Sequence, residues 1–109
     1  MAVTKDDVTG SLKDAADAAH NAFTSAALID PLAAKSLWVD SINATNAYLT
    51  ALQRDLAGDD ASIKAAQDAL DVQTEQINTA LQDLKDVATA IAIVGQLLNL
   101  IASVTKFFA

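Results

Sequence analysis

Every seventh residue from Ile63 to Leu98 is isoleucine or leucine: Ile63, Leu70, Ile77, Leu84, Ile91 and Leu98, with Thr105 continuing the register. Taking these as heptad position a, the d positions are Ala66, Gln73, Ala80, Val87, Val94, Ile101 and Phe108. Of the thirteen b and f residues on the opposite side, only Ala92 is apolar. A seam held in phase without a proline predicts one continuous helix over 60–108, roughly 70 Å long at about 1.5 Å per residue.

Punctuation elsewhere is sparse. Three glycines and one proline are too few for a turn-rich β fold. Asp30-Pro31 is a good cap followed by proline where its missing N–H costs nothing, and Gly58 before Asp59-Asp60 reads as a helix end followed by a helix start. These signals divide a single domain, 1–109, into helical segments of about 4–29, 31–57 and 60–108. Trp38, Ile42, Leu49, Leu52 and Leu56 lie along one side of the second segment, with Leu32 and Val39 beside them. The first is thinner. Seven of the thirteen residues from Ala15 to Ala27 are alanine, which suits close packing against the bulky ridges of the last third.

The fold class expected is all-α, as a long antiparallel helical hairpin or three-helix arrangement with heptad packing; the alternative is a compact four-helix bundle. If Asp30-Pro31 only kinks the path, the first two segments form one arm of a length matching the third. Such a hairpin buries one seam per helix and calls for self-association. If Asp30-Pro31 reverses the chain, three helices pack together, and the end of the third projects or breaks to fold in as a fourth.

Val87 to Thr105 is a run of 19 residues without a charge, long enough for a membrane span. Yet Thr89, Gln96, Asn99, Ser103 and Lys106 keep one narrow face polar, as in an amphipathic helix with a wide apolar arc. The expected interface comprises Ile91, Val94, Leu98 and Ile101 as seam, with Ile93, Leu97, Leu100, Val104, Phe107 and Phe108 extending it. Its cover is another segment, a second subunit, or lipid. Residues 59–86 carry seven acidic and two basic side chains, a local −5, the wrong sign for docking on anionic lipid. An acidic shell around an apolar hairpin resembles the architecture of soluble helical pore-forming proteins, with no motif that attaches it to one family.

No constellation for catalysis is present. His20 is the one histidine, and no second ligand stands at metal-binding spacing; Asp17, a turn before it, is its expected polar neighbour. The aspartate pairs at 6–7 and 59–60 suit helix starts, and the glycines are isolated rather than gathered in a phosphate loop. A formal charge of −7 excludes nucleic acid as a natural partner, and the absence of cysteine excludes disulfides and thiolate metal sites. The start, Met1 to Asp7, is polar and acidic, unlike a signal peptide, so a cytoplasmic location is expected, with membrane association through the last segment as the exception. The expected function is a non-enzymatic helical assembly or adaptor protein without cofactors, acting as a homo-oligomer or on a helical protein partner. The competing expectation is a membrane-active or lipid-binding protein using the same 87–108 ridge.

Overall fold

A side-chain cap cuts the heptad seam. In the computed structural model, which describes residues 3–109, Asp86 is extended (φ −146°, ψ 156°), and its carboxylate accepts the Thr89 N–H at 2.8 Å and the Thr89 hydroxyl at 2.9 Å. Four helices result among the described residues: α1 (Lys5–Ala27), α2 (Lys35–Leu52), α3 (Asp60–Leu81) and α4 (Val87–Thr105). The continuous 60–108 helix expected from the heptads is therefore two helices. A chain with extents of 43 × 22 × 17 Å has no room for a rod of roughly 70 Å. The physical reason is the wide apolar arc of α4, which one partner helix cannot cover. Folding back lets α4 pack against α1, α2 and α3 together.

The break also turns the buried face. In α3 the seam residues Ile63, Leu70 and Ile77 are buried as the heptads predict. In α4 the buried side is Val87, Ala90, Val94, Leu97, Ile101 and Val104, the d and g positions, while Ile91 is exposed and Leu98 only half-buried.

The Asp86 cap titrates. Hydrogen bonds from Thr89 hold its carboxyl below the ordinary 3.8, so its contribution is complete above that value and is lost as pH falls below it. Exchange of the Thr89 amide, corrected for intrinsic rate, is expected to accelerate on acidification below about 3.8 and to stay flat in Asp86→Asn, which keeps a neutral acceptor. Equal acid response in both proteins would contradict the cap.

Two other starts are capped alike: Thr4 Oγ1 accepts from the Asp7 N–H at 3.2 Å, and Asp59 accepts from the Ser62 N–H at 2.9 Å. The start of α2 differs from expectation. Asp30 closes a separate turn, accepting the Ala33 N–H on its side chain and the Ala34 N–H on its carbonyl, and α2 begins only at Lys35 behind an uncapped Ala34. Asp30-Pro31 thus reverses the chain rather than kinking it. The Lys5 ammonium, at the start of α1, donates to the Leu52 carbonyl at the end of α2 (2.9 Å), so the two helices run antiparallel.

Packing follows side-chain size. Ala15, Ala16, Ala18, Ala19, Ala22 and Ala26 are all buried, and this thin face lets α1 approach α4 across the bundle as well as packing beside α2 and α3. On the other diagonal α2 and α3 do not touch. Their connection, 53–59, crosses the end of the bundle and is clamped there by the segment after α4. The Ala57 N–H donates to the Phe107 carbonyl (2.7 Å), the Ala109 N–H donates to the Asp55 carbonyl (2.9 Å), and Leu56 and Phe108 form an antiparallel bridge. Gly58 sits in this clamp at φ 144°, where a Cβ would stand 2.8 Å from the Phe107 ring.

Candidate interaction surface

Helix α2 buries mostly small side chains, with Leu37 the large exception. Leu37, Ser41, Ala44 and Ala51 are buried, whereas Trp38, Val39, Ile42, Leu49 and Leu52 are exposed. The apolar side read from the sequence is therefore largely exposed, apart from Leu56, which is half-buried in the clamp. Ser41, Ala44 and Ala51 allow close approach to the neighbouring helices α1 and α4; Leu37 fills the core between them and Tyr48 packs half-buried against it, while five large apolar residues stay exposed. Residues 38, 42, 45, 49 and 52, at alternating steps of four and three, run down one side of the helix with only Thr45 polar among them.

The stripe continues onto the α1–α2 turn, where Leu28 is 87% and Leu32 77% exposed. Trp38 packs on α1, with its ring centroid 5.2 Å from that of Phe23 and the planes tilted by 55°. Lys35 and Asp40 are the only charged residues of α2. Partial burial raises the Asp40 carboxyl above its ordinary 3.8, and at about 100° per residue Asp40 points away from the stripe.

The ten residues expected at an interface are divided by the fold. Val94, Leu97, Ile101, Val104 and Phe108 are buried in the chain's own core. Ile93, Leu98, Leu100 and Phe107 pack partly buried against it, and Ile91 alone is exposed. The chain itself covers most of this ridge, so those buried residues meet a partner only if the bundle opens.

Polar groups inside the fold join helices. Gln73, in the a/d seam, donates through Nε2 to the Ile93 carbonyl (3.1 Å) and to Gln96 Oε1 (3.3 Å), setting α3 against α4. Gln67 donates to Ser11 Oγ (3.1 Å) and the Asp7 carbonyl (3.3 Å), setting α3 beside and parallel to α1. Between these two helices runs an open groove lined by Asp6, Asp7, Asp14, Asp17, Asp71 and Glu75. The negative charge is thus gathered on the α1–α3 side, away from α2. Two surface ion pairs relieve it, Lys13–Asp17 at 3.1 Å and Lys64–Asp68 at 2.6 Å, and in each the aspartate holds the lysine above its ordinary 10.5. Asp17 is therefore engaged by Lys13 and not by His20, which is exposed and accepts only at its backbone carbonyl, from Thr24.

Among the described residues no group of three or more histidine, aspartate or glutamate side chains is placed to hold a metal ion. Compared with protein-family models, curated proteins and solved structures, the chain matches none.

Proposed function

We propose that the protein is a non-enzymatic helix-recognition module, a small four-helix bundle that docks an apolar helical partner on α2 and the adjoining turn. The observation that carries this reading is the apolar stripe of α2, which lies beside the buried side of the helix and stays exposed. Exposing Leu28, Leu32, Val39, Ile42, Leu49 and Leu52 on one side leaves water against apolar surface that association would remove. The recognition itself is packing of an apolar ridge into the spaces of this stripe, with specificity from shape and from the polar residues at its edges.

A second reading rests on α4. Val87–Thr105 is 19 residues long with a mean hydropathy of 2.0, and only about a third of it is buried. Its connection to α3 over 82–86 would serve as a hinge from which it could swing into a bilayer.

Trp38 is the one tryptophan, so its emission reports on the stripe directly. A synthetic amphipathic helical peptide with a leucine heptad is expected to shift that emission to the blue and to lose its effect against Leu49→Asp. Vesicles of phosphatidylcholine, with or without phosphatidylglycerol, are expected to leave both the emission and entrapped dye unchanged. Dye release that is abolished by Leu100→Asp, with no response to the peptide, would replace the first reading with the second.

A further inference from the structure

We propose that the partner seated on α2 is a second copy of this chain, its α2 packed antiparallel against the first about a twofold axis near Thr45. This rests on the helix-recognition reading and names its occupant. Three observations support it: the symmetry of the stripe, the distribution of charge, and the area available.

The stripe is self-complementary in reverse. An antiparallel copy centred on Thr45 sets Trp38 of one protomer opposite Leu52 of the other, with the small Thr45 side chains meeting at the axis and Ile42 and Leu49 staggered by one residue, about 1.5 Å, between them. Each contact is then made twice, as an isologous pair requires. The same register brings Lys35 of one α2 just past Leu52, the end of the other, where the 53–59 connection begins. A parallel pair would instead set Lys35 against Lys35.

Charge limits how a chain of −7 can meet itself. Pairing through α1 or α3 would bring the acidic groove residues Asp14, Asp17, Asp71 and Glu75 towards their own copies. Helix α2 carries one lysine and one aspartate and is neutral. Self-pairing there leaves the two acidic sides on the outside of the dimer, far apart. The same neutrality gives no electrostatic reason for an anionic bilayer to bind this face.

The area is sufficient. Leu28, Leu32, Trp38, Val39, Ile42, Leu49 and Leu52 leave about 40–90% of each residue in solvent. Together their exposed surface is on the order of 800 Å², the share each partner contributes to a standard stable interface.

The test is sedimentation of the full chain over a concentration series, combined with cross-linking. The mass is expected to rise from 11.3 kDa to twice that value. Ile42→Asp with Leu49→Asp is expected to stay at the monomer mass with an unchanged helical circular dichroism spectrum, while Val72→Asp, exposed on α3, dimerises like the parent. Because the chain has no cysteine, Thr45→Cys introduces a single thiol, which should form a disulfide-linked dimer rapidly on oxidation. Trp38→Cys alone should link slowly, and mixing it with Leu52→Cys should link the two species to each other.

Efficient linking of Trp38→Cys to itself would overturn the antiparallel register, and a dimer unaffected by Ile42→Asp with Leu49→Asp would overturn the α2 interface. A chain that stays monomeric overturns self-pairing; if the leucine-heptad peptide still shifts Trp38 emission, the recognition reading survives it. If neither the second copy nor the peptide engages α2, both fall, and a vesicle-induced shift would assign the stripe to lipid.

Discussion

Replacing Phe108 by alanine is expected to lower the unfolding free energy by about 3–5 kcal/mol, the usual range for removing a buried phenylalanine ring. For a domain near 100 residues, that corresponds to a fall of at least about 12 °C in the thermal midpoint. Phe108 is only 7% exposed and belongs to the same core as Leu97 and Val104. It also stands in the bridge to Leu56, so its backbone holds the 53–59 connection in place while its side chain fills the end of the bundle. Urea denaturation followed by circular dichroism measures the loss. The contrasting variant is Val72→Ala, at a residue 54% exposed on α3 and outside the α2 surface, where a change within about 0.5 kcal/mol is expected. Equal and small effects at both positions would show that the segment after α4 is not docked.

A second pair of substitutions tests which side of α4 is the inner one. Leu97 is fully buried and Ile91 is 38% exposed, although Ile91 holds the heptad position that the sequence pattern favours. Leu97→Ala is expected to cost about 2–5 kcal/mol and Ile91→Ala about 1 kcal/mol or less, measured by the same denaturation. The reverse ranking would restore the uninterrupted seam through residue 98 and remove the rotation of the buried face at Asp86.

These two tests mark where sequence reasoning reached and where it stopped. The helical class was legible in Ile63, Leu70 and Ile77 and in the scarcity of glycine and proline, because periodicity reports local geometry directly. The start of α3 was legible too, since Asp59 caps the Ser62 N–H as its residue type suggests. Asp86-Val87-Ala88-Thr89 repeats that arrangement, but its signal is hidden inside a heptad pattern that passes through it unbroken. A cap needs only one carboxylate and one extended residue, and neither disturbs the spacing of apolar side chains.

The α2 surface was obscured for another reason. Hydropathy assigns the more apolar side of a helix to the core, and Trp38, Ile42, Leu49 and Leu52 form that side. Which side turns in depends on the neighbours, and α1 and α4 accept Leu37 with the smaller Ser41, Ala44 and Ala51. The width of the α4 apolar arc was a sound signal, and the other three helices of the same chain supply most of its cover.

The missing contact between α2 and α3 has a consequence for how such a sequence can change over time. Substitutions on the outer side of α2 make no direct contact with the acidic side of α3, and sites that do not touch tend to combine additively. Charge on one flank and stickiness on the other are therefore separate variables. A lineage could gain or lose acidic residues, retuning its solubility, without disturbing what α2 recognises. It could equally exchange the residues of the stripe for a new partner while keeping the same interior, provided the alanines of α1 remain.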